Sequence, residues 1–481
     1  MSTTAADLTA HTGRRRTWHE LRQLLKLPGF RKLFAVRLVS QTADGMFQVG
    51  LATLLFFSPE SMGTAAGVAA GFAVMLAPFT IVGPFAGVLL DHWSRRQILL
   101  VGNLIRAVLT AAMALAFMWG GEFGLVHILG LTALSINRFL LAGLSAGLPK
   151  VIADDAPAFY AGDSRDLLLT ANSLVPTIGA GAAFLGGAIG LLLSVVLGHP
   201  AVDGDLGGLD SSITLFASAI TMTLAALVAA RLTRYQLGPE VRIKETIGQG
   251  LARTFGDLRG AASYLKARVT PFQALTATAI HRFLYGLVFI AAILMSRNIL
   301  INPAAVLSAA QYDYLPTAVN DGNSMAAGLG NFAVIMGLIG AGGAIAVVLT
   351  PFLSRHLGPQ RWIGLMFMVA TAALLLLATA PVRLVVFATA LILGVGSQGS
   401  KIAVDTIVQR DTVDTYRGRA FAFYDVIFNA AFVAAAALAA FIVPDIGWSR
   451  PLFLGIAACY LLTGLWMYHR AAKFPPGHLA A

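Results

Sequence analysis

Long apolar runs separated by short polar turns dominate the chain from residue 33 to residue 469. Each run reaches the roughly 20 residues that an α-helix needs to cross a hydrocarbon core of about 30 Å. The pattern predicts twelve spans, at about 33–57, 64–90, 98–119, 124–148, 170–197, 212–231, 272–296, 326–350, 362–380, 384–401, 419–442 and 451–469. The expected class is an all-α membrane protein. A polar connection over 232–271 separates two sets of six spans. The expected organisation is a basic cytoplasmic segment (1–32), a six-helix bundle (33–231), a cytoplasmic linker (232–271), a second six-helix bundle (272–469) and a cytoplasmic tail (470–481). Within the linker, Ile247, Leu251, Phe255 and Leu258 recur at helical spacing and predict an amphipathic helix lying along the membrane.

Composition agrees with the pattern. The chain is 57% hydrophobic and 12% charged, where a soluble domain carries about 25% charged residues. The net charge of +11 is distributed as a topology signal, not as a nucleic-acid surface. Arg37, Arg106, Arg138 and Arg282 lie inside spans, only Arg297, Arg383 and Arg450 face outward, and the other bases fall in alternate segments. That bias puts both termini in the cytoplasm. The first apolar run contains Arg37 and Asp44 and exceeds a signal-peptide core, so it is read as a retained helix. Residues before it form either a solvated basic tail or a short surface helix with Trp18, Leu21 and Leu25 on its apolar face. The single cysteine, Cys459, rules out an intrachain disulfide framework. The outer connection Asn298 to Met325 is unusually long and carries no recognisable motif.

One turn is informative in detail. Gly83-Pro-Phe-Ala-Gly-Val-Leu-Leu-Asp-His-Trp-Ser-Arg-Arg96 joins spans 2 and 3. It resembles the loop signature of the major facilitator superfamily, Gly-x-Leu-x-Asp-Arg-x-Gly-Arg-Arg. Gly87, Leu89, Asp91, Arg95 and Arg96 match, and His92 and Ser94 depart from it. An internal repeat fits the same family. Gly143-Leu-Ser-Ala-Gly-Leu-Pro-Lys150-Val-Ile-Ala-Asp154 closes span 4, and Gly394-Val-Gly-Ser-Gln-Gly-Ser-Lys401-Ile-Ala-Val-Asp405 closes span 10. Parallel six-span repeats are characteristic of facilitator-type transporters. Phe30-Arg-Lys-Leu-Phe, Ser40-Gln-Thr-Ala-Asp-Gly45 and Asp411-Thr-Val-Asp-Thr-Tyr-Arg-Gly-Arg419 are most similar to the bacterial drug- and siderophore-efflux branch.

The resemblance implies two six-helix pseudo-repeats in the major facilitator fold, with helices 1, 4, 7 and 10 lining a central pathway. Asp44, Arg138, Arg282 and Gln398 would then border it, with His281 beside Arg282. Asp44 is costly at membrane depth and either carries a proton or substrate or forms an ion pair with an arginine on a neighbouring helix. One acid against two bases favours an anionic or zwitterionic substrate, unless Asp44 and Arg138 simply neutralise each other. His281 is either a proton carrier or a packing and hydrogen-bonding residue. Arg106, on the peripheral span 3, is expected to reach polar groups near the surface loop.

The family also implies a cytoplasmic gate. Asp91, with Arg95, Arg96, Arg417 and Arg419, would latch the 2–3 loop against helix 11, although the arginines alone read equally as topogenic charge. In the second half Ser354 replaces the acid, so a symmetric latch is not expected. Lys150, Asp154, Lys401 and Asp405 are read as repeat-related loop pairs. Span 5 carries Gly179-Ala-Gly-Ala-Ala-Phe-Leu-Gly-Gly187-Ala-Ile-Gly190, half of an antiporter signature and also a surface for close helix packing.

No phosphate-binding loop, metal-ligand spacing or HExxH motif is present, so neither an enzyme nor a cofactor or metal is expected. The resulting expectation is a proton-coupled exporter of a small amphiphilic or anionic molecule (a drug, siderophore or lipid-like compound) in a bacterial cytoplasmic membrane. It would work as a monomer by alternating access, with the lipid bilayer and a proton as partners and no nucleic acid. A small-anion facilitator or importer and a non-transporting scaffold are the alternatives.

Overall fold

The computed structural model describes residues 22–57, 64–71, 75, 85, 93–119, 123–155, 164–197, 207–233, 237, 246–301 and 322–473. Among them the long elements are all helical. They are α1 (Pro28–Ala52, continued by a π-helical turn Thr53–Phe57), α2 (Arg95–Met118), α3 (Phe123–Asp155), α4 (Ser164–Leu197), α5 (Gly207–Ala230) and α6 (Ile247–Lys266). The order continues with α7 (Val269–Asn298), α8 (Gly322–Leu357), α9 (Pro359–Leu377), α10 (Arg383–Asp411), α11 (Asp414–Ile442) and α12 (Arg450–Lys473).

Nine helices among the described residues are long and apolar enough to cross a membrane: α2, α3, α5 and α7 to α12. Helix α1 falls short because Arg37, Gln41, Asp44 and Gln48 dilute its apolar content. In α4 the described apolar stretch is the shorter Ile178–Leu193. The span expected over 64–90 lies almost entirely outside the described residues. Several helices outrun their apolar cores, notably α3 and α10. Lys150, Asp154, Lys401 and Asp405 therefore sit on helices and not in loops. A helix satisfies its own backbone, so nothing obliges it to end at the hydrocarbon boundary. Lys401 adds an i,i+4 pair to Asp405, Nζ to Oδ2 2.7 Å.

The chain forms two compact units. The first comprises Met1–Ala52, Phe85–His199 and Asp205–Leu251, and the second comprises Thr53–Pro84, Pro200–Gly204 and Ala252–Ala481. The boundary near the middle cuts α6 at Leu251. Thr53–Pro84, which the hydrophobic pattern assigns to the first bundle, groups with the second unit, where the Ala65 amide donates to Asp445 Oδ1 at 2.8 Å.

In the first unit α1 packs on α4 and α5, and α2 packs on α3 and α5. The α1–α4 crossing is close because both helices present glycines. A Cβ on Gly45 would strike the Ala183 carbonyl oxygen, and one on Gly186 would strike the Thr42 carbonyl. Small residues are what allow membrane helices to approach backbone to backbone. The start of α1 is held by Phe30, Leu33 and Val36 packed on Leu140, Leu144 and Leu148 of α3. Leu24 joins that core at 0% exposure, whereas Trp18 and Leu21 lie outside the described residues.

Helix α2 begins with its own cap. Ser94, where the facilitator loop signature has glycine, accepts from the Gln97 amide at 3.3 Å, and its hydroxyl donates to Gln97 Oε1 at 3.0 Å. Ser94 is thus the N-cap of α2, with the Gln97 side chain held on its hydroxyl. Ser94→Ala should therefore lower stability by on the order of 1 kcal/mol, read as a small fall in Tm.

In the second unit α8 packs on α10, α9 on α10 and α12, and α7 on α11. Gly342 of α8 and Gly394 of α10 repeat the backbone-to-backbone approach, each facing a carbonyl of the other helix. Trp362 Nε1 ties α9 to α10 through the Gly399 carbonyl at 3.1 Å.

Candidate functional site

Within the first unit the polar residues of α1 and α2 form one seam. Ser40 and Asp44 are one turn apart on α1, and Asn103 and Arg106 are one turn apart on α2. Ser40 Oγ donates to Asn103 Oδ1 at 3.1 Å, and Arg106 Nη2 donates to Asp44 Oδ1 in a buried ion pair. The paired numbers rise together, so α1 and α2 run parallel. Asn103 Nδ2 donates to the Leu99 carbonyl of its own helix at 2.7 Å, and Ser218 Oγ of α5 donates to the Ala43 carbonyl, next to Asp44, at 2.9 Å. Asp44 and Arg106 are 4% and 0% exposed.

This corrects two expectations. Arg106 is not a surface-loop anchor, and the base that neutralises Asp44 is Arg106, not Arg138. The reason is register: the α1–α2 contact that joins Ser40 to Asn103 carries Asp44 onto Arg106 one turn later. Arg106 Nε and Nη1 have no hydrogen-bond acceptor among the described residues. Arg138 is half-buried on α3. Arg37, one turn before Gln41, donates from Nε to Gln41 Oε1 at 3.0 Å.

Within the second unit His281 and Arg282 of α7 face different partners. His281 is buried with both ring nitrogens engaged: Nε2 lies 3.0 Å from Ser397 Oγ of α10, and Nδ1 lies 3.1 Å from Tyr460 Oη of α12. Tyr460 Oη also lies 3.2 Å from the His281 carbonyl oxygen, to which it donates. Phe367 of α9 stacks on the imidazole at 5.7 Å between ring centres. Gln398, the neighbour of Ser397, is half-buried on α10 and lies against Gly343 of α8.

Arg282 is held by rings. Its guanidinium carbon lies 4.1 Å from the Phe428 ring centre, 4.4 Å from Phe432 and 5.7 Å from Tyr285. All three are within cation–π range. Among the described residues no carboxylate pairs with it, and its Nε has no hydrogen-bond acceptor. The arrangement positions a cation while leaving its charge uncompensated, the chemistry of an anion-binding group. Sequence reading picks out Arg282 but misses Ser397, Tyr460, Phe428 and Phe432, because hydroxyl and aromatic side chains in apolar helices give no pattern distinct from packing.

The residues expected at the cytoplasmic gate are described only in part. Asp91 and the Arg417 side chain lie outside the described residues. Arg95 Nη1 donates to the carbonyls of Ala146 (2.8 Å) and Leu237 (3.0 Å), and Arg96 Nη2 donates to that of Ala230 (3.1 Å). Arg419 pairs with Asp257 of α6 at 3.2 Å. Helix α6 is docked on the α10–α11 turn: Tyr264 stacks on Tyr416 at 4.4 Å, and its hydroxyl accepts from the Val413 amide at 3.2 Å. Asp411 in that turn is bonded by Arg410 at 2.6 and 2.9 Å and by the Thr270 hydroxyl at 2.6 Å. The apolar side chains Leu251 and Phe255 of α6 are exposed, Phe255 at 66%.

Charged side chains retained deep within apolar helices, paired or cradled by neighbours, define a multi-pass helical membrane protein built to pass solutes or ions. No family model matches the chain. It is 31% identical over 446 residues to an uncharacterized MFS-type transporter of Mycobacterium tuberculosis, an alignment covering 92% of this chain and 91% of that protein. The same figures hold for an uncharacterized MFS-type transporter of Mycobacterium bovis. Among solved structures, a mutant of the nucleoside transporter NupG shares the fold, with a TM-score of 0.58 at 12% identity, covering 92% of this chain and 99% of that one. The chain belongs to the major facilitator superfamily. It is a membrane transporter of that type, acting on a small-molecule substrate.

Proposed function

We propose that this protein exports a small anionic or amphiphilic molecule across a bacterial cytoplasmic membrane by alternating access, with the proton as coupling ion. The observation that carries the substrate class is Arg282, a guanidinium held on three aromatic rings with no described acid beside it. In the first unit Asp44 and Arg106 cancel. The sequence-level count of one acid against two bases therefore changes: the acid is spent on Arg106, and Arg282 remains a cation with no described acid beside it. That balance favours an anion over a zwitterion, which would need an acidic group for its positive end. Export is supported by the resemblance of the 30–45 and 411–419 stretches to efflux proteins. Two six-span repeats are supported by matched packing: α1–α4, α2–α3 and α2–α5 in one unit correspond to α7–α11, α9–α10 and α9–α12 in the other. His281, bridging Ser397 and Tyr460, is the proposed proton-handling group.

A second reading, an uncoupled anion facilitator, is favoured by the pairing of Asp44 with Arg106. That pairing removes the most obvious intramembrane proton acceptor.

The test is pH change inside proteoliposomes as anionic, zwitterionic and cationic amphiphiles are added in turn. Anions should move protons in the wild type. Arg282→Gln should cut that flux by about 10- to 100-fold, the scale of a lost charge-assisted hydrogen bond, and Arg282→Lys should recover only part of it. Labelled anion uptake without proton movement would select the facilitator. Cation-driven flux untouched by Arg282→Gln would overturn the substrate class.

A further inference from the structure

We infer that α6 is a binding surface for anionic membrane lipid, in which Phe255 enters the lipid layer while Arg259 and Lys266 take headgroup phosphates. An amphipathic helix along a membrane needs only apolar contact, and the distribution of charge on α6 adds a preference among headgroups. Nothing in this assignment depends on Arg282 or on the direction of transport. Helix α6 is not among the helices apolar enough to cross a membrane, whereas α7, which begins at Val269 just after Lys266 closes α6, is one of them. The C-terminal end of α6 is therefore held where a spanning helix starts, at the boundary of hydrocarbon and water.

Two faces of α6 differ in character. One is docked on its own unit: Ala261 and Leu265 are buried, Tyr264 stacks on Tyr416, and Asp257 pairs with Arg419. The other carries Phe255, Arg259, Ala262 and Lys266, which follow one another at steps of four, three and four and so share a helix face. Phe255, Arg259 and Lys266 are all exposed. Asp257 is the one acid of α6, and Arg419 occupies it. No acid among the described residues forms an ion pair with Arg259 or Lys266, so this face presents positive charge around an apolar ring.

A ring and two bases on one face are complementary to an anionic lipid surface, the ring among the first methylenes and the cations level with the phosphates. Arg259 and Lys266 lie about 10 Å apart along the axis at 1.5 Å per residue, so each meets its own headgroup. A protein partner fits less well. A stable interface buries about 800 Å² on each side, and one Phe side chain supplies about 150–250 Å². The docked face gives lipid binding a consequence inside the unit. Arg268 lies 4.7 Å from the Tyr264 ring centre, Tyr264 lies 4.4 Å from Tyr416, and the Val413 amide donates to the Tyr264 hydroxyl at 3.2 Å. A helix α6 held on lipid therefore holds the α10–α11 turn with it.

The experiment is hydrogen–deuterium exchange of the α6 amides, read by mass spectrometry on the full-length protein in nanodiscs. The lipid is phosphatidylcholine alone, or phosphatidylcholine with about one third phosphatidylglycerol. Each base near an anionic surface contributes about five-fold, so phosphatidylglycerol should slow exchange in α6 by about 30-fold. Salt at about 1 M should erase most of that effect. Arg259→Gln and Lys266→Gln should each give back about five-fold while leaving exchange in pure phosphatidylcholine unchanged. Phe255→Ser should speed exchange in both lipids. All three replace exposed side chains and should elute as the wild type does. Exchange in α6 that ignores phosphatidylglycerol would overturn the inference, as would a phosphatidylglycerol effect that survives intact in Arg259→Gln/Lys266→Gln. Soluble polyglutamate slowing exchange as much as phosphatidylglycerol does would also overturn it and assign the face to an acidic protein.

Discussion

Replacing Asp44 with asparagine should cost this transporter its folded form, not just its turnover. Arg106 is completely buried, and Asp44 provides its one described charge partner, through Nη2. Two further guanidinium nitrogens already lack acceptors among the described residues, so no neighbour stands ready to replace the lost carboxylate. Removing one member of a buried pair leaves an uncompensated charge and typically costs about 3–5 kcal/mol, whereas replacing both with apolar residues is often neutral or stabilising. Asp44→Asn and Arg106→Gln should therefore each lower Tm sharply or abolish a monodisperse elution peak. The double variant Asp44→Leu/Arg106→Met should recover most of the loss. Fluorescence-detected size exclusion with a temperature ramp measures all three. A wild-type Tm for Asp44→Asn would show that the pair is not what holds α1 on α2.

The double variant also separates two roles that a single substitution confuses. Proton flux measured on folded Asp44→Leu/Arg106→Met reports coupling without the stability loss. Flux retained would assign Asp44 to structure and leave His281 as the proton-handling group. Flux lost while substrate movement persists would return coupling to Asp44. A neutral-to-neutral exchange at His281, His281→Gln, then serves as the reciprocal arm, since glutamine can keep one hydrogen bond to Ser397 or Tyr460 but cannot carry the proton.

How much of this was legible without coordinates depends on the kind of information. Span identity follows from hydropathy, because a bilayer admits few alternatives to a long apolar helix. The cost of burying Asp44, Arg106, Arg138 and Arg282 can likewise be read from their positions in apolar runs. Partnership is different. Ser40 and Asp44, and Asn103 and Arg106, are each one turn apart, so the seam is written in the sequence, but the register that joins the two pairs is set by packing of whole helices. Family analogy pulled the other way, placing Arg106 on a peripheral helix and matching Asp44 with Arg138. The gate arginines illustrate a second limit. Hydropathy and charge give Arg95, Arg96 and Arg419 as bases at the membrane surface but not their partners, which are carbonyls for the first two and Asp257 for the third. In the half antiporter signature of span 5, Gly186 and Gly190 face the backbone of α1, at Thr42 and Met46, a contact that the sequence pattern does not assign.

That crossing yields the second large effect. Gly45→Ala should destabilise far more than a single methyl group suggests, because the new Cβ would meet a carbonyl oxygen and, at 2.6 Å, the Gly187 backbone nitrogen. Backbone atoms at a helix crossing cannot rotate away as a side chain can. The helices must separate, with loss of packing along their length, and overpacking of this kind costs about 1–3 kcal/mol or more. Gly45→Leu should prevent assembly of the first unit altogether. The control is Gly181 on the same helix α4, where an added Cβ meets nothing within 4 Å. There Gly→Ala should be neutral or stabilising by up to about 1 kcal/mol, from helix propensity alone. Thermal ramps on Gly45→Ala and Gly181→Ala, purified in parallel, should thus diverge in sign. Gly342→Ala, which faces the Leu391 carbonyl in the second unit, should follow Gly45. Equal Tm values for Gly45→Ala and Gly181→Ala would mean that the α1–α4 approach is looser than its glycines imply. Transport assays add a further distinction. A Gly45→Ala protein that folds at low temperature but turns over slowly would show that the close crossing must persist through the conformational cycle, with α1 and α4 moving as one body.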